Sequence, residues 1–511
     1  MDVKSQGLVC WKRWAVGLTF VILIFVLSNA ESRAADKVLR LGLSFIAPGK
    51  GNPYQGISMP TIVPFHAVFD TLTYVDEHGD VAPGLAVSWH SNDAMIWTFK
   101  LRRGVSFSNG EPFDTEALRV SAEHMRSSIG EMETVGSNLY HVKEARPIDE
   151  HTVEVVLSER DALFPLHATL WRIPAPKLWK ELGPEEFAKV PAGTGPYQVT
   201  AWEERGVFLQ PFLGSWRAGK LDRVELLKIP DQTARLQALL SGAVNLVMGL
   251  SPEDKDALES VGASLYSRVI PATPFIAFLT TKDIPVKDTR VRQALNYAVN
   301  RELIIERLLG ASTYPLGQLA YPGAFGFDPN LEAYPYDPDK AKVLLASAGY
   351  PQGFDMVITL SGRGANETLY YQQIAEDLRY IGVNVELQLT TAGNMTRNLF
   401  DGTFQGDAFA LGVRGFDPLN AYRHRVCLGI LADRSAYHCD ASLLPLLRAA
   451  RSQTSESGAQ RIYREVLRRE FDSPPGIFLW QWPEFDGVSA GVEGYAPLQD
   501  VVNFQDIWIS D

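Results

Sequence analysis

Apolar and polar residues alternate in "KVLRLGLSF" (37–45), the period-two pattern of a half-buried strand. A long Gly/Pro loop, "APGKGNPYQGISMP", follows it. Short β-rich runs continue over 65–113, where "AMIWTFKLR" alternates and "EHGD" and "SNGE" read as turns. The period then changes. "DTEALRVSAEHMRSS" spaces its apolar residues three and four apart and offers Asp114 as an N-cap, so it predicts a helix. "HTVEVVLSE" predicts a strand and "GTGPYQVTAWEERGVFLQPF" (193–212) a turn and hairpin. "VELLKIP", "DQTARLQALLSGAV" and "NLVMGL" read as strand, helix and strand. From 290, "RVRQALNYAVNRELIIERLLG" predicts one long amphipathic helix ended by Gly310. "DPDKAKVLLASAGY" is a helix with proline at its first position. "DMVITLS", "GANETLYYQQIAEDLRYIGV" and "NVELQLT" read strand, helix, strand, and "AFALGV" adds a strand. "DASLLPLLRAARSQTSESGAQRIYREVLRREFDS" is helical and "PGIFLWQW" is β. Strands come first and βαβ units follow, with no repeat and no low-complexity linker. That order predicts an α/β protein whose lobes are joined by crossing strands.

One apolar run does not fit a folded core. Lys12 and Arg13 precede "WAVGLTFVILIFVLSNA", and small residues allow cleavage after Ala30 or after Ala34/Ala35. This is the pattern of a cleaved signal peptide over residues 1–35, and it places the protein in the periplasm. Its apolar core is short of the roughly 20 residues a spanning helix needs. Cys10 precedes the run, where a lipid anchor would follow it. The 511 residues carry a net charge of −12, and 44 basic against 58 acidic residues remain without the leader. An acidic chain without basic clusters is not a nucleic-acid binder.

Beyond the leader only Cys427 and Cys439 remain, in "RVCLGILADRSAYHC", with His424 and His438 beside them. A zinc site, a nucleophile with its base, and a disulfide are the three readings. Adjacent His438 and Cys439 suit one tetrahedral ion poorly, and an oxidising compartment disfavours a thiolate and favours the disulfide. Hydrolase, metalloprotease, Walker A and C-x-x-C motifs are absent from the sequence, so no enzyme activity, cofactor or metal is expected. "GRGANE" (362–367) lacks the third glycine of a dinucleotide fingerprint. It does put Arg363 where a strand hands over to a helix N-terminus, a place that suits a carboxylate. A solvated surface arginine is the ordinary alternative. Tyr54, Trp480 and Trp482 fall in loop or strand-end contexts and are candidate walls of a ligand pocket, or core.

Five separated blocks resemble one family in order and spacing. They are "VFDTLTYVDEHGDVAPGLAVSWHSNDAMIWTFKLRRGVSFSNGEPFDTEALRVSAEHM", "GTGPYQV", "VRQALNYAVNRELI", "YPYDPDKAKVLLASAGY" and "FDPLN". Together they resemble the family 5 extracellular solute-binding proteins, the dipeptide, oligopeptide and nickel group, over about 40–505. The resemblance implies a two-lobed periplasmic binding protein of type II (a Venus flytrap) with an extra subdomain in the first lobe. It implies lobe I over 36–270 with a subdomain at about 82–190, lobe II over 271–480, and a return to lobe I over 481–511. The chain would cross near Pro271 and near Trp480. A monomer would close on a small peptide or similar anionic solute and deliver it to the permease of an ABC importer in the inner membrane. Arg363 would grip a carboxylate, as in the dipeptide-binding branch, and Cys427 and Cys439 match that branch's cysteine pair. One segment departs from the pattern. In "LGVRGFDPLN", Arg414 and Gly415 stand where peptide binders carry an aspartate for the ligand's amine, and Asp417 belongs to the D-P element. Arg363 with Arg414 would favour an anionic ligand, such as an acylated or acidic peptide or an opine-like conjugate. Chelated metal and small saccharides are the other solutes the fold would accommodate.

Overall fold

The computed structural model describes residues 36–510 except 48, 57–58, 77, 362–364, 415–436 and 497–500. The opening strand Val38–Leu43 lies inside a seven-stranded sheet. Its order is Ser264–Val269, Pro483–Val488, Leu246–Met248, Val38–Leu43, Arg223–Lys228, Gly206–Pro211 and Tyr197–Glu203. Val38–Leu43 runs parallel to both its neighbours and is nearly all buried, as a strand covered on two faces must be. A second, five-stranded sheet has the order Val383–Leu389, Phe354–Leu360, Ala408–Arg414, Ala272–Phe278 and Gly476–Phe478. A four-stranded antiparallel sheet, Ala86–His90, Ile96–Leu101, Thr152–Leu157 and Val142–Asp149, is covered by the helix Thr115–Met125. One apolar core joins the seven- and four-stranded sheets through residues such as Leu41, Leu226, Phe99 and Val153. A separate core, with Ile276, Ile358, Val383 and Ala408, fills the five-stranded sheet.

Most predicted helices form where their caps stand. Asp114 accepts from Glu116 N, Asp231 from Ala234 N and Asp337 from Lys340 N, each closing an orphan donor of a first turn. Two predicted helices are corrected. The segment from 290 is not one helix but two, Thr289–Ala298 and Arg301–Leu308. Val299 is extended and Asn300 caps the second helix through Leu303 N, so a local hydrogen bond breaks a continuous apolar stripe. The C-terminal helical run is likewise divided into Leu444–Arg451 and Glu456–Asp472, the second capped by Ser455. The strand Ala272–Phe278 carries Pro274, yet all seven of its residues are buried. Its short partner Gly476–Phe478 pairs only with Phe275–Ala277, which leaves Pro274 beside an open edge where its missing N–H costs nothing.

Two segments carry the chain between the large sheets. Ser264–Val269 leads through Ile270 and Pro271 into Ala272–Phe278, and Gly476–Phe478 returns through Leu479–Trp482 into Pro483–Val488. The crossings lie side by side. Ile270 N donates to Trp482 O at 2.9 Å and Trp482 N to Ala272 O at 2.8 Å. The buried Gln481 adds a bond from Nε2 to Ile270 O at 3.0 Å. A third strip braces them, because Thr313 Oγ1 donates to Gln481 O and Tyr314 OH to Gln481 Oε1, both at 2.6 Å.

Candidate solute-binding site

The Gly/Pro loop after the opening strand builds one wall of a cavity of about 440 Å3. Ala47, Gln55 and Gly56 from that loop, with Thr61 just after it, face Ile129, Met132, Glu133 and Thr134. The loop is held from behind. Arg172, only 2% exposed, donates from Nε to Pro53 O at 2.7 Å and from Nη2 to Gly56 O at 2.6 Å. Its guanidinium also lies 4.7 Å over the Phe65 ring. Burial lowers the Arg172 pKa to about 9. It keeps its charge at neutral pH, and that fixed positive charge lies under the cavity wall. Gly56 adopts φ +77°, and a Cβ there would meet Thr61 Oγ1 at 2.9 Å, so the wall requires glycine at this turn.

The opposite wall rests on Glu133. Its Oε1 accepts from Asn52 Nδ2 and its Oε2 meets His124 Nε2, each at 2.7 Å. The bonds tie Glu133 to the base of the loop, so its charge is spent inward. Met132 and Ile129 beside it are 80% and 56% exposed, large apolar groups left at the cavity rim. The cavity thus offers a small polar side, an apolar rim and a buried cation behind the wall, the mixture that holds an organic solute by shape and a few anchors.

The candidate residues from sequence fall in three places. Tyr54 is fully buried: its hydroxyl is 2.6 Å from Ser121 Oγ, and its ring lies against His124 and Trp179. Burial pushes the pKa of that hydroxyl up. Its neighbour Gln55, not Tyr54, lines the cavity. Trp480 and Trp482 flank Gln481 on the returning crossing, and Trp480 is 1% exposed. The Trp480 ring meets Tyr370 edge-on at 5.2 Å, which links the crossing to the helix Ala365–Tyr380. That helix begins immediately after 362–364, and the strand Phe354–Leu360 precedes them. Arg363, Asp417 and Cys427 lie outside the described residues, as does the side chain of Arg414 at the end of its strand. Cys439 lies at the start of the next described stretch. Sequence reasoning missed Gln55, Met132, Glu133 and Arg172. The Gly/Pro-rich loop signalled a wall near Gln55, whereas "IGEMET" and Arg172 carry no pattern that separates them from surface residues.

Residues 80–426 match the bacterial extracellular solute-binding proteins, family 5 middle region. The chain belongs to this family. A nickel-binding periplasmic protein of Escherichia coli is 26% identical over 479 residues, covering 86% of this chain and 89% of that protein. A di/tripeptide-binding protein of Pseudomonas aeruginosa is 26% identical over 516 residues, covering 94% and 96%. The periplasmic binding protein DppA of Helicobacter pylori, solved with the peptide STSA, shares the fold at a TM-score of 0.76 and 21% identity, covering 93% of this chain and 98% of its own. CtaP of Listeria monocytogenes, an ABC transporter substrate-binding protein, reaches a TM-score of 0.81 at 20% identity, covering 93% and 100%. The fold is the two-lobed α/β binding-protein architecture. Relatives in this family are binding proteins rather than enzymes, and no helix among the described residues is long and apolar enough to cross a membrane.

Proposed function

We propose that the chain is a periplasmic receptor that closes two lobes on a carboxylate-bearing solute of the peptide class and hands it to an ABC permease. The observation that carries this reading is the paired crossing between the two large sheets, with the helix Ala365–Tyr380 packed on Trp480 through Tyr370. Two antiparallel segments bonded to each other act as a hinge, since small rotations about them move whole sheets. The seven- and four-stranded sheets would form lobe I, 36–270 with its subdomain and the tail from 481, and the five-stranded sheet lobe II, 271–480. Arg363 would hold the solute's carboxylate through two parallel hydrogen bonds, and the Arg172 charge behind the wall favours the same sign. Trp480 and Trp482 would set the floor of the cleft at the crossing, and Asp417 would meet a positive group. Truncating a charge-assisted anchor of this kind costs about 2–5 kcal/mol of binding. Calorimetry with a peptide pool and with the selected peptide tests it: Arg363→Ala is expected to weaken binding by about 30-fold or more. Unchanged affinity in that variant would remove Arg363 from the site.

Export by residues 1–35 and a Cys427–Cys439 disulfide complete the reading. The loop is short, so the bond is expected to add about 3 kcal/mol by restricting the unfolded chain. Intact mass after alkylation without reductant checks the pairing. The disulfide predicts no alkylation of the mature protein, and two blocked thiols would contradict it.

A further inference from the structure

Three titratable side chains of the four-stranded subdomain converge at a point that is not part of the cavity lining. His141 precedes the strand Val142–Asp149, Asp161 follows Thr152–Leu157, and His167 ends the short helix Phe164–His167. His141 Nε2 lies 2.8 Å and His167 Nδ1 2.6 Å from one and the same oxygen, Asp161 Oδ2. The three possible ligand atoms are all within 4.8 Å of one another. They are separated by 20 and 6 positions in the chain, so no spacing motif announces them.

The scaffold around them is fixed. Asp161 N donates to Ala94 O at 2.8 Å, Trp97 Nε1 donates to Asp161 O at 3.1 Å, and Leu163 N donates to Asp161 Oδ1 at 2.9 Å. Ser158 N donates to His141 O at 2.8 Å. These bonds use one carboxylate oxygen and leave the other to the two imidazoles. The Asp161 side chain is only 11% exposed, and among the described residues its ion pairs are with the two histidines alone. His141 Nδ1 is buried with no hydrogen-bond partner among the described residues.

We propose that His141, Asp161 and His167 form a binding site for a divalent transition ion of the zinc class. Two imidazoles and one carboxylate are a donor set that zinc accepts, with bonds of about 2.0–2.2 Å and a fourth position left for water. The present contacts need open by only about half an ångström to admit such an ion. His167, 16% exposed in its side chain, is the side from which ion and water would enter. The bound charge would neutralise Asp161. The segment so braced also carries Glu159 and Leu163, which meet Arg451 and Leu447 of the Leu444–Arg451 helix. The site would therefore stiffen a face on which the subdomain meets the rest of the molecule.

The test uses the full mature protein, stripped of metal and then dialysed against Zn2+, with Co2+ as the spectroscopic probe. The proposal predicts one bound zinc per chain, visible d–d absorption of four-coordinate Co2+, and a higher melting temperature with Zn2+. Asp161→Asn and His167→Gln should each weaken binding at least tenfold and abolish the thermal shift, while His90→Gln, on an exposed strand, leaves both intact. Should Asp161→Asn fail to fold, His167→Gln at the more exposed corner decides. No zinc retained by the wild-type protein, or binding that survives both substitutions, would overturn the assignment.

Discussion

His66 is held as a neutral acceptor. It sits in the helix Val63–Val68, and its Nδ1 accepts from Val502 N at 3.2 Å while its carbonyl receives Arg217 Nη2. Burial first, and then the charges of Arg172 and Arg217, lower its pKa to about 3. Between about pH 6.5 and pH 3 the unfolded chain therefore binds a proton that the folded chain refuses. Stability contributed by this residue is complete above the upper limit and declines as pH falls through the window. The slope is at most about 1.4 kcal/mol per pH unit. His66→Gln keeps an acceptor for Val502 N and removes the titration. Melting temperatures of the two proteins are expected to diverge on acidification, the variant falling less steeply. Parallel pH profiles would contradict the assignment.

At the element scale, the crossing strands are pinned by a buried ion pair. Arg268 Nε lies 2.8 Å from Asp486 Oδ2, and Tyr495 OH donates to the same oxygen at 2.8 Å. Arg268 belongs to the strand Ser264–Val269 before the first crossing and Asp486 to the neighbouring strand Pro483–Val488 after the return, so the pair ties both crossings to the first sheet. Removing one partner of such a pair strips a buried charge of its nearest counter-charge and costs about 3–5 kcal/mol. Asp486→Ala is expected to lose that much in denaturant titration, and the double variant Arg268→Met with Asp486→Leu to recover part of it. Equal losses in both would show that packing, not charge, dominates there. Sequence made the capped helices legible because Asp114, Asp231 and Asp337 each stand beside their own orphan donors. It misread 290–310 because an apolar stripe continues past Asn300, and only the Asn300 side chain reveals the break. The strand Ala272–Phe278 was hidden by Pro274, whose tolerance depends on where a distant partner strand ends. The candidate site divides in the same way. Its loop announces itself by Gly and Pro, whereas Arg172 and Glu133 become site residues only through contacts 116 and 81 positions away.

At the scale of the whole molecule, the two large sheets are joined by the crossings, and the four-stranded subdomain meets the Leu444–Arg451 helix away from them. Leu163 of the subdomain packs in one cluster with Leu443 and Leu447, and Arg451 Nη1 lies 3.5 Å from Glu159 Oε1. The glycines Gly79 and Gly323 approach so closely that a Cβ on Gly79 would meet Gly323 Cα at 2.9 Å. A receptor of this design traps its solute and releases it slowly, so solute should accompany the protein through purification. Native mass spectrometry of the mature protein, before and after mild denaturation, shows whether a solute is bound and what it is. A bound carboxylate-bearing species of the peptide class, released on unfolding and missing from Arg363→Ala, is expected. An empty protein that no peptide pool can load, or a bound species with no carboxylate, would contradict the proposed function.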